Sequence, residues 1–141
     1  MRKKNKILCV VILVCICVVA YTIPYIKMEF AGSAHYTEQD RREYNFYTPD
    51  ILKGMPRISD HYDFDFSNTT GPANQVNAIK FYGTEDIRII DSYLASLGYK
   101  KKEKCDIEAT CWKGTDPQET IYVGILKSEK IVIIQVVMDF S

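Results

Sequence analysis

Apolar residues follow three different patterns along the chain, and each predicts a different element. The first is an unbroken run, ILCVVILVCICVVA, which YTIPYI extends with only Thr22 and Pro24 as interruptions. Residues 7–26 are long enough to cross a bilayer as a helix, since the hydrocarbon core takes roughly 17 to 25 residues at about 1.5 Å each. The second pattern is helical. Ile87, Ile90, Leu94 and Leu97 recur at steps of three and four, behind Thr84 as cap and Glu85 and Asp86 at the positive end of the dipole, with Gly98 as the stop, so an amphipathic helix is predicted over 84–98. The third is alternation. RISDHYDFDF, VNAIKFYG, YKKKEKC, TCWKG, TIYVGIL and IVIIQVVMDF read as strands.

The last of these strands is apolar on both faces, with Val132, Ile134, Val136, Met138 and Phe140 on one and Ile131, Ile133 and Val137 on the other. That places it inside the sheet. KSEK joins it to TIYVGIL as a hairpin, and SNTTGPANQ is predicted as a polar loop of about nine residues. TPDILKGMP reads as a compact helical turn, capped by Thr48, opened by Pro49 and closed by Gly54. Residues 27–47 lack a strong apolar period and are expected to form a stalk, in which Thr37 caps a short helix through EQDRREY. The expected fold is therefore α+β: a two-layer sandwich of a mostly antiparallel sheet and one main helix, preceded by a transmembrane helix. The expected organisation is a basic tip at 1–6, an anchor at 7–26, the stalk at 27–47 and one domain at 48–141.

Charge gives the orientation. Arg2, Lys3, Lys4 and Lys6 precede the apolar run and no acid accompanies them, so the tip stays in the cytoplasm and the remainder is exported, with Tyr21 and Tyr25 at the outer headgroup level. A cleaved signal peptide is the alternative, with Val18-Val19-Ala20 as its cleavage signal and a secreted product starting near Tyr21. The apolar character continuing past Ala20 favours the anchor. Neither Cys15 nor Cys17 follows the small residue a lipidation signal needs, Val14 and Ile16 standing there instead. The general plan is that of a single-pass protein of the bacterial inner membrane with a periplasmic domain. Residues 21–141 carry fourteen basic and eighteen acidic groups, a net charge of −4, which argues against nucleic acid as a partner.

Five cysteines divide between the two regions. Cys9, Cys15 and Cys17 lie in the apolar run and read as small hydrophobes. Cys105 and Cys111 flank a tight polar connection and are expected to form a disulfide in an oxidising compartment. A zinc site there would lack half its four ligands.

The densest polar chemistry is SDHYDFDFSN, residues 59–68. Alternation puts Tyr62, Phe64 and Phe66 on a core face and His61, Asp63 and Asp65 on the other. His61 and Asp65 are then roughly 13 to 14 Å apart along the strand, too far for one ion. The three therefore read as a solvated face, and His61 with Asp63 is the weak candidate for a divalent cation. His35 falls in the presumed stalk, where a tether offers no fixed geometry for catalysis. No nucleophile elbow, phosphate loop or dinucleotide fingerprint is present. Neither a cofactor nor an enzymatic activity is expected. Lys100, Lys102 and Lys104 share one side of YKKKEKC and mark a solvent-washed edge strand.

These features predict a membrane-anchored extracytoplasmic protein-interaction module, such as an envelope assembly factor or a toxin inhibitor or immunity protein. Ten tyrosines suit an interface. The candidate surface is Asn68, Thr69, Thr70 and Asn74 on the loop, with Tyr62 or Tyr82 beside it. The alternative is an exported protein that binds a small ligand or divalent cation through His61 and Asp63.

Overall fold

A computed structural model describes residues 2–140 except 70, 72, 103, 104 and 106–108. It divides into two compact units between Ala31 and Gly32. The first unit is dominated by helix α1, Arg2–Glu29. Apolar side chains from Ile7 to Val19 are exposed around it. Among the described residues this is the one helix long and apolar enough to cross a membrane, judged by length and composition.

Among the described residues, the second unit is a seven-stranded sheet with three short helices. The elements are β1 (Ser33–Tyr36), α2 (Arg41–Tyr47), α3 (Asp50–Lys53), β2 (Tyr62–Thr69), β3 (Asn74–Tyr82), α4 (Arg88–Ser96), β4 (Lys100–Lys102), β5 (Thr110–Lys113), β6 (Glu119–Leu126) and β7 (Ile131–Asp139). The strand order is β1-β2-β3-β7-β6-β5-β4, and every pair is antiparallel. The expected α+β class holds. Doubly apolar β7 occupies the centre of the sheet, where neither face nor edge exposes it fully.

One face of the sheet forms the core. Phe64, Ile79, Phe81, Ile121, Val132 and Ile134 are sealed there, and so are Ile90 and Leu94 of α4. Near the β1 edge the packing is aromatic. Tyr36 stacks on Phe64 at 5.5 Å, Tyr44 meets Phe64 edge-on at 5.3 Å, and Tyr47 stacks on Phe66 at 4.5 Å. Such pairs contribute about 0.5 to 1.5 kcal/mol each beyond their burial.

Part of the segment expected as a stalk belongs to this fold. Ser33–Tyr36 pairs with β2 at the sheet edge, and α2 buries Tyr44 and Tyr47. SAHY shows too little alternation to read as a strand, and its stability comes from pairing rather than from its own pattern. Asp40 rather than Thr37 is the α2 N-cap, and its carboxylate accepts from the Thr37 amide at 2.9 Å.

Other boundaries also move. Helix α4 starts at Arg88, because the Thr84 hydroxyl accepts from the Asp86 amide and the Asp86 carboxylate accepts from the Arg88 amide at 3.0 Å. These local bonds offer the backbone an alternative to the first helical turn. Gly98, at φ +89°, closes the helix end as expected. The predicted nine-residue loop is mostly ladder: β2 runs to Thr69 and β3 begins at Asn74, with Ala73 at φ 54° in the turn. Pro49 is the N-cap of α3, not its first residue. Thr48 is buried and shares a 2.8 Å hydrogen bond with the Tyr36 hydroxyl. Lys100 and Lys102 lie on the exposed edge strand β4, while Lys104 lies outside the described residues.

Candidate functional site

The second sheet face is open. Register places His35, Asp65, Ala78, Gln135, Tyr122, Cys111 and Lys102 in one row across all seven strands. Asp63, Lys80, Ile133 and Gly124 form a parallel row, and Ser67, Val76, Val137 and Thr120 another. Apart from Ala78 and Cys111, these side chains are half-buried or exposed.

A charged cluster sits at the β1 end. His35 is paired directly with Asp65 in the ladder, and Asp63 lies two residues along the same face. The His35 Nδ1 is 2.8 Å from Asp65 Oδ1, and its Nε2 is 3.7 Å from Asp63 Oδ2. Strand β3 supplies a partner for each carboxylate. Lys80 Nζ lies 3.0 Å from Asp65 Oδ2, and the Tyr82 hydroxyl donates to Asp63 Oδ2 at 2.8 Å. Asp63 Oδ1 is buried and has no hydrogen-bond partner among the described residues. Beside the cluster a groove of about 200 Å³ is lined by Asp65, Ser67, Val76, Ala78, Lys80 and Gln135.

These contacts shift the protonation equilibria. The hydrogen bond to Asp65 raises the His35 imidazole above its ordinary value. Burial pushes the Asp65 carboxyl up, but hydrogen bonds from His35 and Lys80 outweigh it and the group ends below the usual carboxylate range. Burial, reinforced by the hydrogen bond to Asp63, pushes the Tyr82 phenol up to about 12. Tyr82 is therefore a fixed donor at neutral pH.

Ligand atoms of His35, Asp63 and Asp65 all lie within 4.8 Å of one another. The sequence paired Asp63 with His61 instead. His61 is not in this group; its ring stands edge-on to Tyr82 at 5.0 Å. The histidine that joins the aspartates comes from the adjacent strand, thirty residues away, and no local spacing points to it.

The residues expected to form one interaction surface do not come together. Tyr62 faces the opposite side of the sheet, where its hydroxyl donates to Glu38 and the Arg57 guanidinium lies 5.1 Å from its ring centre. Tyr82 is on the open face. Asn68, Thr69 and Asn74 lie at the far end of the β2–β3 hairpin, roughly 20 Å along the strand from Tyr62 at about 3.4 Å per residue. Thr70 lies outside the described residues. Cys105 and Cys111 do meet, with S–S 1.97 Å and Cα–Cα 6.1 Å. Cys111 faces Lys102 in the ladder, so Cys105 reaches it from the β4–β5 connection rather than from a facing strand position.

Compared with protein-family models, curated proteins and solved structures, the chain matches none.

Proposed function

We propose that this chain is a membrane-anchored extracytoplasmic protein-interaction module, held by α1 with its N-terminus in the cytoplasm, and that the open sheet face is its binding surface. One observation carries the reading: the sheet is sealed on one face only. On the other, Val76, Ile133, Val137 and Tyr122 are half-buried side chains in adjoining rows, flanked by the charged cluster at one end and by lysines at the other. An apolar strip with a polar surround has the anatomy of an interface.

The rest of the chain supports this reading. The apolar helix and its basic tip fit a retained anchor of positive-inside orientation. Cysteines at bonding distance fit an oxidising compartment such as the periplasm. The role is binding rather than catalysis, in the manner of an assembly factor or a toxin inhibitor.

Site-directed photocrosslinking tests it. A photoreactive residue at Val137, on the open face, is expected to trap a discrete protein in cells, and one at Ser92, on the exposed side of α4, is not. Equal adducts from both positions, or none from Val137, would overturn the assignment of this face.

A further inference from the structure

We propose that His35, Asp63 and Asp65 form a binding site for a zinc-class divalent cation, with a coordination position left open to solvent. This inference does not depend on the identity of a protein partner. A straight strand lets two alternate residues chelate but not a third, and here the third ligand comes from the neighbouring strand. His35 lies directly opposite Asp65, where facing Cβ atoms are about 4.5 to 5.5 Å apart.

The donor set selects the ion. One imidazole nitrogen and two carboxylates suit zinc and its neighbours, whereas calcium and magnesium take oxygen ligands. Three protein ligands leave a fourth position, and the His35 side chain, 62% exposed, opens it to water.

Two further features point to an ion. Each carboxylate is held from outside by a donor on β3, Lys80 for Asp65 and Tyr82 for Asp63. Outer partners of this kind fix ligating carboxylates and typically change metal affinity by about 10- to 100-fold. The second feature is Asp63 Oδ1, a buried anionic oxygen without a hydrogen-bond partner among the described residues. Leaving such a group unsatisfied costs its desolvation without the return of a hydrogen bond. With His35 neutral, Lys80 offsets only one of the two carboxylate charges.

The test uses the full-length chain in detergent micelles, stripped with chelator and titrated with zinc chloride against a chromophoric competitor. A single equivalent of zinc is expected to bind. His35→Ala and Asp65→Asn should each weaken it by at least about 100-fold, beyond the range of an outer-partner loss, Tyr82→Phe should weaken it by about 10-fold, and His61→Ala should leave it unchanged. The chain has two histidines, which gives a readout on unmodified protein: in NMR spectra cobalt(II) should give the His35 ring protons the large contact shifts of a direct ligand and those of His61 only smaller through-space shifts. Absence of zinc binding at millimolar metal, unchanged binding by His35→Ala, preference for calcium, or contact shifts at His61 in place of His35 would each overturn the proposal. The cluster would then be an ion-pair network alone.

Discussion

His35 and Asp65 face each other across the β1–β2 ladder, with imidazole and carboxylate 2.8 Å apart. A titrating ring thus fastens a four-residue edge strand to its neighbour. The imidazole is raised above 6.5 in the folded state, so its contribution is complete below that value and is lost as pH rises through the elevated one. Asp65 is lowered from 3.8, so its contribution is present above that value and is lost as pH falls through the depressed one. In zinc-free buffer, the stability margin of the wild type over His35→Gln should therefore be largest in the mildly acidic range between. The exposed histidine limits it to less than about 1 kcal/mol. Thermal unfolding across pH measures the margin, and one that widened towards alkaline pH would contradict the assignment.

Tyr36 and Thr48 share a buried hydrogen bond of 2.8 Å that ties β1 to the segment before α3. Burial pushes the Tyr36 phenol up to about 12, so the hydroxyl remains protonated. Thr48→Val keeps the shape and removes the partner, at an expected cost of about 1 to 3 kcal/mol. Tyr36→Phe in the same background should recover part of that loss, because no orphaned hydroxyl remains. Denaturant unfolding of the two variants decides it, and an unaltered midpoint for Thr48→Val would count against the bond.

The Cys105–Cys111 pair closes a short loop, with a sequence separation of 6. Chain entropy for so small a loop gives about 2 kcal/mol. Cys105→Ala should lower stability by that amount, and alkylation with mass spectrometry should find these two cysteines blocked in protein from intact cells. Two free thiols would remove the bridge and the support it gives to an oxidising location.

Much of the architecture is readable from side-chain pattern alone. Fourteen consecutive apolar residues specify α1, two apolar faces put β7 at the sheet centre, and Ile90 and Leu94 mark the buried side of α4. What the pattern hides is whatever pairing creates. SAHY becomes a strand because β2 offers it an edge and Phe64 offers Tyr36 a ring to stack on. Asp63 and Asp65 were visible as a same-face pair, but the histidine beside them is set by cross-strand register, which local spacing does not encode. Tyr62 and Asn68, both interface candidates in the linear sequence, are separated by the length of a strand, and Tyr62 and Tyr82 by the two faces of the sheet.

The most direct test of the account is the sidedness of the folded domain. Spheroplasts treated with external protease, without lysis, should lose residues 32–141 while a membrane-embedded fragment containing α1 survives. A domain that is protected until the cells are lysed, in a chain recovered intact from the soluble cytoplasm, would contradict it.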